Sequence, residues 1–379
     1  MNRLNLIVYL AVATAICTGP AQAETINYGS LNWSVQYMID QSQTVLGSNQ
    51  FTNPRDNRGL AMSPDGQYLY AGYNSGSSTF EVRKIDLSEP DYNDATVAHL
   101  VNVSRGKALA TDDQGRVYMA DASAIKIYDG SLTSLQHTIS GTTMEGVAVV
   151  RQGANLALYQ SDRTTGNLSK FLLTETGPNI TAAALDTSFN GTGFINLSTN
   201  LRGVEVDPMT GNIWVADIDS NVVDVVSPAG LLLGTVSVNS PIDVAFDDGT
   251  ALITRSGNQL ISRFDTTSQL SNGTDLAAPL ASLLFDTAQG AYSGIVTFNG
   301  GFYLAGEGVN TAGEHSTYGR TDGESGFIGP DFYTDLTHDD NDPIFLAYAL
   351  VPEPSTFVLA SLALVTLGIG WRRRRNGRS

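Results

Sequence analysis

Cysteine is nearly missing from this chain: Cys17 is the only one among 379 residues. Disulfides and thiolate metal sites each need more than one, so both are excluded. A hydrophobic core must hold the fold instead, and a chain this long can bury one. Positive charge is scarce as well. There are 21 Lys and Arg against 38 Asp and Glu, and six of the 21 lie at the two ends. Residues 24 to 350 keep 15 basic against 37 acidic side chains, a net charge near −22. Such a surface repels nucleic acid phosphates and anionic lipid, which argues against a nucleic-acid role. Histidine is sparse too, and His99, His137, His315 and His338 are scattered without ligand spacing. No Gly-x-Ser-x-Gly nucleophile motif occurs. Stretches with helical period are few, and long apolar runs are confined to the ends.

The N-terminal end reads as an export signal. Arg3 supplies a small positive segment, and Leu4 to Cys17 an apolar run. Ala21-Gln22-Ala23 supplies a small-x-small cleavage site. Residues 1–23 are therefore expected to be a signal peptide, with the exported chain starting at Glu24. Cys17 raises a lipoprotein alternative, but Ala15-Ile16 is a poor lipobox and Cys17 sits inside the apolar run. Once the signal is removed no cysteine remains, and a cysteine nucleophile is excluded.

The other end carries three features in order. Val351-Pro352-Glu353-Pro354-Ser355-Thr356 comes first, and its prolines hold the segment extended and outside any helix. Phe357 to Trp371 then runs without charge, a helix of about 22 Å at about 1.5 Å per residue. That is short for a bilayer core of about 30 Å. Ser355, Thr356 and Trp371 extend it, and local thinning absorbs the remainder. The span is placed at 356–371. Arg372, Arg373, Arg374 and Arg375 follow, with Arg378 beyond. The positive-inside rule keeps this tail, 372–379, in the cytoplasm as a stop-transfer signal and everything N-terminal outside.

Motif, short apolar helix and arginine cluster together resemble the PEP-CTERM sorting signal of bacteria, over about the last 29 residues (351–379). The resemblance implies an exosortase-type membrane protease as partner, with Pro352, Glu353, Pro354 and Ser355 as the sorting and processing motif. It also implies transient inner-membrane association, then delivery to the cell surface or extracellular matrix, often where exopolysaccharide is made. A plain C-terminal anchor, with the prolines as a linker, is the alternative.

Between the ends, residues 24–350 read as one all-β domain. Short runs rich in Val, Ile, Tyr and Phe are punctuated by Gly, Asn, Asp and Pro. They repeat. "RGLAMSPDGQYLYAGYNSG" at Arg58 is echoed at Lys107, Glu145 and Arg202, and more faintly at Ile242 and Ser293. Each unit is a small-residue start, an apolar strand, an Asp-x-x-Gly-type turn and a second strand, often with a third. Asp folds back on its own backbone and Gly accepts positive φ, so "SPDG", "DDQG" and "DPMTG" should close hairpins. The texture and period are similar to the NHL, YVTN and WD-type propeller superfamily, closest to its NHL-like members, without the Trp-Asp signature. Six blades are expected. Seven is the alternative, because the long Gly146-to-Gly203 spacing and the region before the sorting motif could hide strands. The ring should close by pairing "NYGSLNWSVQYMID" with "PIFLAYAL".

In such a ring the residues entering each innermost strand lie at the channel mouth. Arg58, Lys107, Glu145 and Arg202, with Asp243, are the candidate ligand residues there; a self-satisfied ring of ion pairs is the competing reading. Propeller lactonases hold a divalent ion in the channel with Glu, Asn and Asp. Glu145, Glu205 and Asp243 are the comparable carboxylates, but the local motifs of that family are missing. "DIDSN" at 217–221 and "DLTHDDNDP" at 335–343 are weak calcium candidates, the latter through Asp335, Asp339, Asp340 and Asp342, although neither has the EF-hand pattern. No other cofactor and no catalytic residue is expected. The sequence thus points to an exported, non-enzymatic binding or scaffold module that contacts exopolysaccharide, a surface protein or a small molecule. A metal-dependent hydrolase is the runner-up.

Overall fold

The computed structural model describes residues 25–28, 31–40, 59–74, 80–87, 96–104, 106–247, 249–256, 260–266, 278–284, 292–298, 301–306 and 344–350. The expected signal peptide, Arg58, the stretch 335–343 and the whole sorting tail lie outside the described residues.

Six antiparallel sheets follow one another along the chain. Blade I holds β3 (Leu60–Met62), β4 (Tyr68–Asn74), β5 (Phe80–Asp86) and β6 (Thr96–Val103), after β1 (Thr25–Tyr28) and β2 (Leu31–Asp40). Blade II holds β7 (Ala108–Thr111), β8 (Val117–Asp121), β9 (Ala124–Tyr128) and β10 (Leu135–Ser140). Blade III holds β11 (Met144–Gln152), β12 (Asn155–Asp162), β13 (Asn167–Thr176), β14 (Asn179–Leu185) and β15 (Phe194–Asn196). Blade IV holds β16 (Leu201–Val206), β17 (Ile213–Asp217), β18 (Val222–Val226) and β19 (Leu232–Ser237). Blade V holds β20 (Pro241–Asp247), β21 (Thr250–Arg255), β22 (Leu260–Asp265) and β23 (Ala278–Leu284). Blade VI is built from both ends of the chain. It orders β1 and β2 beside β26 (Ile344–Leu350), then β25 (Gly301–Gly306) and β24 (Tyr292–Phe298).

The innermost strands make a closed circuit. β3 touches β7, β7 touches β11, and so on through β16, β20 and β24, which returns to β3. This circuit is a propeller. Its closure is the β2–β26 pair, running from Trp33 opposite Leu350 to Asp40 opposite Ile344. The two segments singled out in the sequence do meet. The long spacing in blade III has a different content from a seventh blade. β14 pairs with Phe171–Thr176 of β13, and β15 pairs with Asn167–Ser169 of the same strand. The surplus residues extend one sheet.

The hairpin turns follow their residue chemistry. Gly66, Gly115 and Gly211 have φ of 69°, 76° and 74°, values that L side chains rarely adopt. Asp112 Oδ1 accepts the Gln114 and Arg116 N–H groups at 3.0 Å. Asp207 Oδ1 accepts the Met209 N–H at 2.9 Å. Between blades the sheets pack face to face. Ala61, Tyr70 and Val82 of blade I bury against Leu109, Val117 and Met119 of blade II. Trp214 and Val225 of blade IV bury against Val244 and Ile253 of blade V, and Trp214 meets the Phe246 ring edge-on at 5.5 Å. Each such large side chain contributes about 1.5–3 kcal/mol by leaving water. A sheet whose two faces are covered this way has no reason to alternate strictly, which explains the near-continuous apolar inner strands.

Candidate functional site

Four of the six inner strands begin with a register break. In blade III the pairing steps from Met144 opposite Asp162 to Gly146 opposite Ser161, passing over Glu145. In blade V it passes over Ile242, and in blade VI over Ser293. In blade IV it passes over both Arg202 and Gly203. A β-bulge leaves the extra residue unpaired and re-aims its side chain. Of the six residues read from the sequence as strand entries, Glu145, Arg202, Ile242 and Ser293 are therefore lifted out of the ladders.

Three of the six meet at one place. Lys107 Nζ donates to Glu145 Oε1 at 2.9 Å and to Oε2 at 3.1 Å. Arg202 Nη1 donates to Glu145 Oε2 at 3.1 Å. Arg163, from the β12–β13 turn, adds a guanidinium 3.8 Å from Oε1. The Glu145 side chain is only 3% exposed. Blades II, III and IV are thus tied through one buried carboxylate. Gly146 makes the approach feasible: a Cβ there would stand 2.6 Å from Ser161 Oγ and 2.9 Å from the Val204 nitrogen.

Asp243 keeps different company. Its Oδ1 accepts the Val244 N–H at 3.0 Å, and its Oδ2 accepts the Ile295 N–H of blade VI at 3.2 Å. Glu205 Oε1 accepts the N–H of Val206 at 3.1 Å. Among the described residues neither carboxyl has a cationic partner. Burial pushes Glu205 up to about 7, against its backbone hydrogen bond. Burial also pushes Asp243 up to about 8, with the Glu205 carboxylate adding to the rise and the two backbone N–H groups opposing it. Both side chains nonetheless keep some surface open to the channel.

The channel is a cavity of about 410 Å³. Every inner strand lines it, through Leu60, Leu109, Val149, Val204, Phe246 and Ile295, with Glu205 and Asp243 in its wall. Counted from each strand entry, Glu205 stands where other blades have Ala61, Ala110, Ala148, Ala245 and Val296. Asp243 stands where they have Gly59, Ala108, Gly146, Gly203 and Gly294. Two carboxyls on adjacent strands have replaced the small residues of the repeat. The sequence offered this signal, but only to a reading that aligns the entries residue by residue. Gly203 is part of the arrangement. A Cβ on it would overlap Asp243 Oδ1 and come within 2.8 Å of the Asp243 Cα.

The lactonase-like trio is not assembled as one site. Glu145 is occupied by cations, while Glu205 and Asp243 form a separate pair. Among the described residues no group of three His, Cys, Asp or Glu is placed to hold a metal. In the 217–221 stretch the carboxylates serve the turn: Asp217 Oδ1 accepts the Ser220 N–H at 3.0 Å, and Asp219 Oδ1 accepts Asn200 Nδ2 at 2.7 Å. On blade IV, Asp224 is buried with Oδ2 lacking a hydrogen-bond partner. Burial, then the Asp217 charge, pushes it up to about 7.

The tail decides one part of the identity. Residues 350–375 match the PEP-CTERM protein-sorting motif. The chain is a propeller carrying a PEP-CTERM sorting signal. That signal brings exosortase-dependent export with it. No match was found among curated proteins. Solved structures similar to the chain include a protein of unknown function from Bacteroides caccae, at 14% identity and TM-score 0.45, over 59% of this chain and 78% of that one. A second is the glutaminyl cyclase of Myxococcus xanthus, at 10% identity and TM-score 0.38, over 84% and 97%. A third comes from the nidogen/laminin complex, at 11% identity and TM-score 0.45, over 69% and 92%. At these identities and TM-scores the likenesses carry no activity across.

Proposed function

We propose that this protein is a binding module delivered to the cell surface or extracellular matrix, released from the inner membrane by an exosortase-type protease. The observation that carries the reading is one of placement. The sorting motif begins at residue 350, the last residue of the strand that closes the ring. Cutting at Pro352 to Ser355 would remove the helix and the arginines while leaving the β2–β26 pair whole. The passenger is thus a finished ring before and after processing, as a surface-displayed module requires. A propeller supplies such a module with a fixed channel and two loop-bearing faces. Matrix polysaccharide, a surface protein or a small molecule is the partner class.

Two measurements test this. Mass spectrometry of the protein from its host should find a C-terminus between Val351 and Ser355. A mature chain still carrying Trp371 and the arginines would mean a permanent anchor. A glycan and metabolite screen on the exported protein should give at least one saturable ligand; a blank across both panels would sink the binding role.

A further inference from the structure

We propose that the channel binds a compact organic ammonium ion, gripped by Glu205 and Asp243 between the inner strands. This deepens the binding reading above and rests on it. Two carboxyls set in the channel wall are expensive to desolvate, and the neighbouring blades show that Ala, Gly or Val fills the same positions. Glu145 shows how this ring satisfies a buried carboxylate when it does so internally, with Lys107 and Arg202 in contact. Glu205 and Asp243 receive only backbone N–H groups among the described residues. Both residues line the cavity. A ligand that completes them must bring positive charge and N–H donors.

The walls define the rest of the ligand. Leu60, Val149, Phe246 and Ile295 line the same space together with Ser63, Thr111 and Thr297, so a body with both apolar and polar surface is accommodated. The volume of about 410 Å³ lies at the small end of ordinary ligand sites, which run from about 300 to 1,000 Å³. Once ionised, both carboxyls repel an anion. Calcium requires about six to eight oxygen ligands, more than two carboxyls provide. The raised proton affinities of Glu205 and Asp243 fit this reading. The empty site holds protons near neutral pH, and an ammonium ion must displace them. Binding should therefore release protons and tighten as pH rises.

The test uses the exported protein in detergent with cyclohexylammonium chloride as probe and cyclohexanol as its neutral counterpart. Calorimetry at pH 6 and pH 8 should show the ammonium ion binding about tenfold tighter at pH 8, with proton release seen as a buffer-dependent heat. Cyclohexanol should bind at least about tenfold more weakly at pH 8, a discrimination of the kind one lost charge contact produces. Glu205→Gln and Asp243→Asn should each weaken the ammonium ion at least about tenfold and reduce the pH dependence, and the double variant should remove it. Equal binding of ion and alcohol, or pH-independent binding to the unaltered protein, would overturn the proposal without recourse to any variant. So would no ammonium binding at pH 8. If that failure came with a saturable hit in the glycan and metabolite screen, the binding role would stand and only this ligand class would fall.

Discussion

Glu145, which is buried, and the pair Glu205–Asp243, which is half-buried, are carboxyls of the same ring, a few strands apart, with opposite solutions to a similar cost. Glu145 is lifted from its strand by a bulge and meets cations from blades II, III and IV. Glu205 and Asp243 stay within their ladders, opposite Trp214 and Thr254, and meet no side-chain cation among the described residues. The first arrangement is paired with cations and links blades. The second has its proton affinity raised by burial, to about 7 and about 8, and faces a cavity. The difference follows the register: Glu145 and Arg202 sit at bulges and meet Lys107, while side chains one or three positions after a strand entry, Asp243 and Glu205, line the channel.

The most drastic way to break the comparison is to open the ring that both regions share. Deleting residues 26–40 removes β2 and most of β1, leaving β26 as an exposed edge. The melting temperature should fall by on the order of 10 °C or more. A truncated chain that melts unchanged would mean that the β2–β26 pair does not hold the ring closed.

Next comes removal of the internal solution. Glu145→Gln keeps the shape and deletes the charge that Lys107 and Arg202 share. Breaking a buried ion pair by removing one partner costs about 3–5 kcal/mol. Here the cost should be about 2–3 kcal/mol, below that range, because the Lys107 and Arg202 side chains are 11% and 12% exposed and recover some hydration. Urea unfolding should show a lower midpoint with the same slope. Glu205→Gln, judged the same way at pH 8, should not destabilise, since it removes an uncompensated carboxyl. Similar losses for both variants would erase the distinction.

A smaller effect tests the packing beneath the pair. Gly203→Ala would force a Cβ against the Asp243 backbone and carboxyl, so the inner strands of blades IV and V must part. Overpacking of this kind costs about 1–3 kcal/mol. Pairing it with Asp243→Ala should restore part of the loss, because the overlapping carboxyl is then gone. No recovery in that double variant would mean that the backbone contact alone sets the cost.

Much of this frame was legible in the sequence. The Asp-x-x-Gly turns, the unit starting at Arg58 and the closing segments are short-range signals. Each depends on residues that dictate their own backbone. The extra strand β15 was hidden because its pairing partner, Asn167–Ser169, lies in a strand already counted. The bulges were hidden because they are decided by which ladder the next residues join. Lys107, Glu145 and Arg202 were named from their place at the strand entries, and they meet. Asp243 was grouped with them and belongs elsewhere, since in blade V the lifted residue is Ile242. The channel volume depends on how six inner strands pack, which no local pattern records.

The smallest effect separates the two kinds of carboxyl without touching the ring. Glu205, Asp224 and Asp243 hold their protons more tightly in the folded protein, at about 7, about 7 and about 8, than in the unfolded chain, where about 4 is usual. The stability they contribute is full below that unfolded value and disappears as pH rises through 7 to 8. Carboxylates shifted the other way, such as Glu175, held near 2 by Arg151 and Arg116, are already fully ionised by pH 6 in both states and add no slope above it. Between pH 6 and pH 9 the melting temperature should therefore fall, by on the order of 5 °C for a chain of this length. Replacing Glu205 by Gln and Asp243 by Asn together should remove most of that decline, leaving only what Asp224 contributes, and should make the double variant the more stable protein at pH 9. A profile that declines as steeply in the double variant as in the unaltered protein would show that the channel carboxyls do not carry the decline.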